Sequence, residues 1–267
     1  MFSDNDYELY RHAWRYALAP HQERQLSDSQ CKTLLKKGGL MVRNTFDFDY
    51  DTPTDFWYVI KDSFGGFEEL SSNVRRKIRH AFDTFDYKLI DNQIVTDLGY
   101  PIVKATFEDY RIKDREMNES VFADYLSYCK DNSFDYWGIY DKENQRLIGF
   151  CTVHLWDDSC EYGMFAVLPE YKRNATYPYY GLFHRMNEYY LVEKHYKYVS
   201  DSARSITEHS NIHPFLEQNF KFRKAYCKLK MKYKWWFGTI VRVLYPFRRL
   251  IWNKNVIAVL KMHAMQS

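Results

Sequence analysis

The stretch from Glu161 to Ser200 limits what this chain can fold into more than any other. It reads as a strand up to Leu168, a loop of basic and small polar residues up to Tyr177, an amphipathic helix, and a second strand from about Tyr198. The unpaired N–H groups and positive dipole end of such a helix suit a phosphate or pyrophosphate. The pattern therefore predicts a βαβ crossover, either with an anion at the helix start or with nothing bound.

Two residues mark the predicted start of that helix. Thr176 is of a type that accepts a hydrogen bond from the first free N–H groups of a helix, so we expect it to be the cap. Pro178 then lies in the first turn, where its missing N–H costs nothing.

Three strands are predicted just before this stretch: FDYWGIYD, LIGFCTVHLW and CEYGMFAVL. Their turns are polar and short, which predicts an antiparallel meander. A helix is predicted upstream at residues 117–130, with Val121, Tyr125 and Tyr128 on its apolar face. After the crossover we expect the strand KYVSDSA, a short helix from about Asn211, and the strand FRKAYCKLKMKY.

The first half of the chain gives weaker signals. A short helix is predicted at residues 7–16 and a strand at residues 56–61. A basic helix, EELSSNVRRKIRHAFDTF, follows, with Val74, Ile78 and Phe82 on its apolar face. Its basic residues are expected either to contact phosphates or a carrier nucleic acid, or to form a solvated surface. DYKLIDNQIV and GYPIVKATF are predicted as strands.

The composition indicates a globular protein, since 46% of the 267 residues are hydrophobic. The five cysteines are scattered and show no CxxC spacing, which argues for a reducing compartment and against disulfides or a zinc site. The N-terminus is acidic and polar, and no apolar run reaches the roughly 18 residues of a membrane span. We therefore expect a cytoplasmic protein.

Positive charge is concentrated at the C-terminal end. After Phe220 there are 12 Lys or Arg residues and no Asp or Glu, while the rest of the chain has 26 basic and 35 acidic residues. The segment from Trp235 onward is also rich in Trp and branched apolar residues. This pattern predicts an anionic membrane surface as a partner, with the protein peripheral on the inner face of the membrane. The alternative is a tail that packs on its own chain or on the second subunit of a homodimer.

From about residue 117 to residue 233, the order of these elements resembles the GNAT acyltransferase fold. The segments that carry the resemblance are RLIGF, MFAVLPEYK, KYVSDSA and FLEQNFKFRKAY. The resemblance implies an α/β fold with a mixed twisted sheet and flanking helices. It also implies an N-acyltransferase, without a metal, that moves an acetyl or other acyl group from acyl-CoA to an amine. The expected acceptor is a small molecule, a sugar or a cell-envelope precursor.

The family places the acyl donor at the strand before the loop. That strand separates from its neighbour and pairs with the pantetheine arm, while N–H groups of the loop hold the pyrophosphate. Carried over to this chain, the donor-binding residues are Ala166, Val167, Leu168, Arg173, Asn174, Ala175, Thr176, Tyr177 and Asn211. The loop departs from the family pattern because it has no glycine before Gly181, and glycine allows close approach to phosphate. A non-catalytic binding module on the same fold is therefore an alternative.

The upstream part, LSSNVRRKIRHAF, is similar to the FemAB branch of the same superfamily. Proteins of that branch fuse two GNAT-like units, and their donor is often an aminoacyl-tRNA. The implied domains are a truncated GNAT-like or FemAB-like unit at 1–112, an acyltransferase core at 113–234, and a basic amphipathic tail at 235–267. The alternative function is an aminoacyl transferase with tRNA as partner.

Acyl transfer to an amine requires a base for the ammonium proton and a hydrogen-bond donor for the thioester oxyanion. Glu161 lies on the strand before the loop, where the family commonly has its carboxylate base. His154 on the neighbouring strand and Asp201 at the end of the next one are rival candidates. A structural hydrogen-bonding role is the alternative for each. The family often takes its acid from a Tyr on the short helix, but NIHPFLEQNF contains none.

Overall fold

The computed structural model describes residues 2–110, 117–206 and 211–266. Its contacts divide the chain into two compact units. Unit 1 comprises Met1–Val59, Ala203–Glu208 and Lys224–Ser267, and unit 2 comprises Ile60–Ser202 and His209–Arg223. The domain boundaries expected at residues 112 and 234 stay predictions.

The secondary structure alternates between strands and helices along the chain. The strands are β1 (Tyr7–Tyr10), β2 (Ala13–Tyr16), β3 (Met41–Phe46), β4 (Phe56–Lys61), β5 (Phe85–Ile90), β6 (Phe134–Asp141), β7 (Leu147–Leu155), β8 (Ser159–Val167), β9 (Tyr198–Ala203) and β10 (Arg223–Tyr233). The α-helices are α1 (Asp28–Lys36), α2 (Ser72–Thr84), α3 (Asn92–Glu108), α4 (Glu119–Asp131), α5 (Pro169–Arg173), α6 (Pro178–Glu188), α7 (Ile212–Phe220), α8 (Trp235–Leu244) and α9 (Lys254–Ala264).

In unit 1, β1 pairs antiparallel with β2, β2 parallel with β3, and β3 antiparallel with β10. The helix α1 begins at a capping box, in which Ser27 and Gln30 each bond the other's backbone N–H. Its buried residues Cys31 and Leu34 share a core with Tyr7 and Val42. At the C-terminal end, α9 is tied to β10, because Gln266 accepts the N–H of Met231 at 2.9 Å.

The short helix predicted at residues 7–16 is wrong, since these residues form the hairpin of β1 and β2. The two residues of the turn, Arg11 and His12, both have positive φ, at 46° and 68°. Tight hairpins require this backbone and usually use Asn-Gly for it. Arg-His gives no such signal, so the alternation of large residues in this stretch was read as a helical pattern.

Unit 2 is a mixed sheet in the order β9-β8-β7-β6-β5. The strands β5 to β8 form antiparallel ladders, and β8 pairs parallel with β9, as predicted from the crossover. Helix α6 packs on one face, where Phe183 contacts Tyr162 at 5.9 Å between ring centroids. Helices α3 and α4 cover the other face, where Phe122 contacts Phe150. The predicted α/β architecture, a mixed sheet with flanking helices, is confirmed.

The strands predicted between Asn92 and Phe107 are wrong, because this segment is the helix α3. Asp91 caps the helix by accepting the N–H of Gln93 at 2.7 Å. Its buried residues recur at helical spacing and include Val95, Ile102 and Thr106. Pro101 disfavours a helix interior and the β-branched residues favour a strand locally, but burial of this face against β7 and β8 decides the structure.

The helix predicted at residues 117–130 is confirmed as α4, but of its predicted apolar face only Tyr125 points to the sheet, where its hydroxyl bonds that of Thr152. Phe122, Leu126 and Cys129 are buried. Val121 and Tyr128 are each 39% exposed. The sequence offers two apolar stripes one residue apart, and the stripe with the larger aliphatic and aromatic volume packs on the sheet.

In the described residues, no helix combines the length and the apolar character that a bilayer span requires. Both α8 and α9 belong to unit 1, and each buries one part of its surface, at Val241 and at Leu260.

The packing of α4 predicts different costs for two neighbouring substitutions. Phe122→Ala should lower the free energy of unfolding by about 3–5 kcal/mol, because it leaves a cavity against Phe150. Val121→Ala is the matched control and should change it by less than about 0.5 kcal/mol, because this side chain is partly exposed. Urea denaturation of the three proteins measures both values. Equal losses would contradict the observed face.

Candidate functional site

A β-bulge in β8 shapes the centre of unit 2. Cys151 of β7 lies opposite Phe165, and Val153 lies opposite Tyr162, so β8 carries one more residue than β7 between these pairs. The hydroxyl of Thr152 accepts the N–H of Met164 at 2.9 Å. The extra residue is thereby held in place by a side-chain hydrogen bond instead of a ladder bond.

Gly163 is required at this bulge. A Cβ atom there would lie 2.6 Å from the hydroxyl oxygen of Thr152, which also bonds the hydroxyl of Tyr125 at 2.6 Å. The sequence EYGMF contains the signal, because a glycine inside a strand often marks a bulge or a close approach. The sequence analysis did not use it.

Just before the bulge, β8 and β9 separate. Their ladder consists of three pairs and ends at Glu161 opposite Ser200, although β8 continues to Val167 and β9 to Ala203 within the described residues. We call the space between these continuations the β8–β9 gap. It begins at the same point of the sheet as the bulge.

The backbone of β8 presents one N–H group to this gap at Phe165. Leu168 donates its N–H to Ile148 of β7 at 2.9 Å, and Ala166 lies opposite Phe150. Because donors alternate in direction along an antiparallel strand, the N–H groups of Phe165 and Val167 point away from β7. Among the predicted donor-binding positions, the backbone N–H groups of Ala166 and Leu168 are thus used by the sheet.

Val167 is the third residue of this strand that was predicted to bind the donor. Its backbone N–H is bonded by a side chain of a helix. Thr106 of α3 accepts the N–H of Val167 at 3.1 Å. The same hydroxyl lies 3.1 Å from the carbonyl oxygen of Val167 and 2.8 Å from that of Ile102. A pantetheine arm that paired with Val167 would have to displace this hydroxyl. Sequence reasoning missed Thr106 because its helix had been predicted as a strand.

The predicted loop after β8 contains the short helix α5, followed by a turn of exposed residues. Ala175 and Tyr177 both have positive φ, at 54° and 58°. The prediction that Thr176 caps α6 is wrong: Tyr177 is the N-cap residue and makes no side-chain cap, while the Thr176 hydroxyl donates to the carbonyl of Tyr171 at 2.6 Å. Pro178 lies in the first turn, as predicted.

Few N–H groups remain for an anion at the start of α6. Pro178 has none, and Tyr180 donates its N–H to the carbonyl of Tyr177 at 2.9 Å. Tyr87 of β5 packs directly on Gly181, where a Cβ atom would lie 2.3 Å from its hydroxyl oxygen. Gly181 therefore serves packing against β5, and the backbone N–H of Tyr179 is the group left in the first turn.

The cations of the loop have a local partner. Asp109, which follows α3, accepts a hydrogen bond from Lys172 at 3.0 Å and also pairs with Arg173. The hydrogen bond from Lys172 holds the pKa of Asp109 below its usual value. The side chain of Arg173 remains largely exposed. One carboxylate thus offsets one of the two positive charges in the loop.

Asp201 is the first residue of β9 after the last pair with β8, so it lies at the mouth of the gap. Nε2 of His213 in α7 lies 2.9 Å from the carbonyl oxygen of Asp201 and 3.3 Å from its carboxylate. Both partner atoms are acceptors, so Nε2 carries the proton and Nδ1 is the nitrogen left for proton transfer.

Burial changes the pKa values of Asp201 and His213. Desolvation raises the pKa of the Asp201 carboxyl, which is 7% exposed, and the contact with His213 opposes that rise. Desolvation alone would lower the pKa of His213, but the hydrogen bond and charge of Asp201 outweigh it, so the pKa of His213 is raised. A histidine with a raised pKa and an orienting carboxylate fits general acid–base chemistry.

The other two predicted catalytic residues lie elsewhere. Glu161 and His154 are directly opposite each other on β8 and β7, and the His154 ring stacks on Phe134 at 4.6 Å. Because side chains alternate along a strand, Glu161 points to the opposite face from Tyr162 and Asp201. The structure thus brings Glu161 and His154 together and separates them from Asp201. Their catalytic roles stay predictions.

His213 is the residue that sequence reasoning missed. Its signal was present, since it lies in the short helix where the family often has its acid, and the search was for Tyr alone. Asn211, predicted to bind the donor, is the exposed N-cap residue of α7. Within the described ranges, no three His, Cys, Asp or Glu side chains come together as metal ligands.

Comparisons with known proteins identify the fold. No family model matches the chain, and no curated protein matches its sequence. Among solved structures, FemX is 11% identical over 66% of this chain and 60% of its own, with a TM-score of 0.50. The protein L-PGS from Bacillus licheniformis is 8% identical over 81% of this chain and 75% of its own, with a TM-score of 0.47.

A smaller acetyltransferase matches part of the chain. The PaiA N-acetyltransferase from Thermoplasma acidophilum, solved in complex with coenzyme A, is 10% identical over 42% of this chain and 70% of its own, with a TM-score of 0.28. The fold is assigned from the similarity to FemX, and this similarity supports the fold alone. The chain has a GNAT-like acyltransferase fold with a resemblance to the FemAB branch, as the sequence predicted.

The Asp201–His213 pair predicts a change in titration that NMR can measure. The pKa of His213 should lie above its ordinary value in the parent protein and fall in Asp201→Asn, because the opposing charge is removed. His184 provides a control in the same spectrum: burial lowers its pKa to about 4, and that value should not change. An unchanged titration of His213 would contradict the pairing.

Proposed function

We propose that this chain is an acyltransferase that transfers an acyl group to an amine at the β8–β9 gap. The observation that carries the proposal is the position of the Asp201–His213 pair at the mouth of this gap, next to a backbone N–H that faces into it. A GNAT-like fold alone does not define an activity. The site supports it because a proton acceptor and an oxyanion donor adjoin the same space.

In the proposed reaction, His213 acts first as a base and then as an acid, and Phe165 stabilises the oxyanion. Nδ1 of His213 takes a proton from the ammonium of the acceptor, and Asp201 stabilises the resulting imidazolium. The free amine attacks the acyl carbonyl carbon, and the N–H of Phe165 donates to the oxygen as it gains negative charge. The intermediate then expels the carrier group and releases a second proton to solvent water. The imidazolium returns its proton to the carrier, so charges and protons balance.

Acyl-CoA is the proposed donor, with its pyrophosphate near the exposed turn of Arg173, Asn174 and Ala175. Three features support this turn as the anion seat: it lies at the start of α6, it carries a largely exposed guanidinium, and Ala175 takes the αL backbone that forms anion-binding nests. The arm would enter the gap beside Phe165, one position before Ala166.

The alternative donor is an aminoacyl-tRNA, and two observations favour it. The hydroxyl of Thr106 accepts the backbone N–H of Val167, which is the group that a pantetheine arm would pair with. The basic helix α2 also adjoins the start of α6, since Nζ of Lys77 bonds the hydroxyl of Tyr180 at 3.0 Å and lies 5.3 Å from the ring centroid of Tyr177. Lys and Tyr side chains together suit the phosphates and bases of a nucleic acid.

The acceptor is proposed to be the amine of a small molecule, a sugar or a cell-envelope precursor. The proposed location is the cytoplasm, and sedimentation equilibrium tests the alternative of a homodimer. A non-catalytic module on the same fold would bind the donor without turning it over, so turnover separates it from the enzyme.

The proposed base predicts the effect of one substitution on the rate. His213→Gln should lower kcat about 10²- to 10⁴-fold with acetyl-CoA and a panel of amines, because the group that takes the proton is lost. His21→Gln in unit 1 is the control and should leave the rate unchanged. Free thiol release reports the reaction. Equal rates for both variants would rule out His213 as the base.

The proposed donor seat predicts a charge effect on binding. Ala175→Asp should weaken coenzyme A about ten-fold, because each unit charge about 4 Å from a phosphate in water costs about 1 kcal/mol. Gln145→Asp is the matched control, since Gln145 is also exposed and has a positive φ of 56°. Calorimetry measures both affinities, and coenzyme A at 100 times its Kd should add about 2.7 kcal/mol of stability.

If the parent protein binds aminoacyl-tRNA and does not bind coenzyme A, the donor is the aminoacyl-tRNA of the alternative proposal. If neither ligand binds, the proposed donor seat is wrong. Equal affinities of the two variants for coenzyme A would place the pyrophosphate away from Ala175.

A further inference from the structure

The C-terminal segment of unit 1 exposes an unusual amount of apolar surface. Seven large apolar side chains between residues 235 and 252 are each at least 41% exposed. We call them the apolar C-terminal face: Trp235, Trp236, Ile240, Val243, Phe247, Leu250 and Trp252. Single exposed apolar residues are ordinary on a protein surface, but a contiguous group marks a site of interaction.

This exposure belongs to a folded segment. Helix α8 turns Gly238 and Val241 inward, and Gly238 lies against Tyr233. Tyr245, just after the helix, contacts His263 of α9 at 5.1 Å between ring centroids. The segment is thus held in place from one side, as one of the two sequence-based interpretations predicted, while its other side points outward.

The outward side follows the helical repeat. Trp236, Ile240 and Val243 are spaced by four and three residues within α8, which places them on one stripe, and Phe247 follows in the short 3-10 turn after the helix. Trp235 and Trp252, at the two ends of the face, are 83% and 91% exposed. Tryptophan rings with this degree of exposure are typical of the boundary between headgroups and acyl chains.

The charges around the face have one sign. Arg242, Arg248, Arg249 and Lys254 are exposed between or beside its apolar residues. No acidic residue occurs anywhere after Phe220. A second copy of the chain would bring these cations against one another, whereas an anionic bilayer offers a partner for all of them.

We propose that the apolar C-terminal face inserts into the headgroup region of an anionic lipid bilayer, with the arginines bound to lipid phosphates. This mode of binding is interfacial and does not require a spanning helix. It goes beyond acyl transfer and stands independently of that activity. Its consequence is that unit 1 holds the protein on a surface of lipid.

The test uses the full chain and vesicles of phosphatidylcholine, with and without a third of phosphatidylglycerol. Sedimentation with the anionic vesicles should remove the protein from solution, and vesicles with brominated acyl chains should quench its Trp fluorescence. Val243→Glu and Leu250→Glu should each lower the partition coefficient about ten-fold, because they place a charge in the inserted face. These side chains are 60% and 74% exposed, so the melting temperature should not change.

The matched control is Leu98→Glu, an equally drastic substitution at a side chain that is 53% exposed on α3 of unit 2. It should leave vesicle binding unchanged. Arg248→Ala combined with Arg249→Ala should reduce the preference for anionic over neutral vesicles. Sedimentation equilibrium of the free protein should show a monomer at the concentrations used.

Three results would overturn the proposal. One is an absence of binding to either kind of vesicle. Another is binding that high salt abolishes completely and that never quenches Trp, since this would be surface attraction without insertion. The third is a dimer in solution that Leu250→Glu dissociates, which would make the face an interface between two copies of the chain.

Discussion

The hydrogen bond between the hydroxyl of Thr152 and the N–H of Met164 is the interaction on which the candidate site depends. It stabilises one extra residue in β8, and the strand changes its course at that point. The ladder between β8 and β9 ends at the same level of the sheet. The bulge therefore adds a residue to β8 without leaving the N–H of Met164 unpaired, and an unpaired buried N–H would cost about 1–3 kcal/mol.

The two edges of the β8–β9 gap have different properties. On the β8 side, Phe165 provides a backbone donor, while Thr106 closes the next available position at Val167. On the β9 side, Asp201 and His213 form a buried pair with an assigned proton on Nε2. A preformed donor on one edge and an oriented imidazole on the other are what acyl transfer needs, since neither requires reorganisation during the reaction.

Much of unit 2 could be predicted from the sequence because its strands alternate cleanly and its turns are short and polar. The crossover strand after Lys197 and the meander of residues 134–167 are examples. Predictions were wrong where local preference and tertiary burial disagree, as in α3, where Pro101 disfavours a helix and the β-branched residues favour a strand. The hairpin turn at Arg11 and His12 was missed because neither residue type indicates positive φ.

The candidate site was less predictable than the fold. Glu161 and Asp201 are close to each other in the sheet, but the alternation of β8 sends Glu161 to the other face, and only the strand register reveals this. Phe165 became visible as the donor once the direction of each N–H was known from the ladder. A contact such as Asp201–His213 joins a strand to a later helix, and no local pattern in the sequence records it.

The central claim is that the acyl group of the donor lies in the β8–β9 gap. The most direct measurement is a crystal structure with a non-transferable acyl donor, either a thioether analogue of acetyl-CoA or an amide-linked aminoacyl-tRNA fragment. We expect the acyl oxygen to lie about 3 Å from the backbone nitrogen of Phe165, which is hydrogen-bond distance. We also expect the acyl carbon to face His213. An acyl group bound outside the gap, with the N–H of Phe165 unused, would contradict the account.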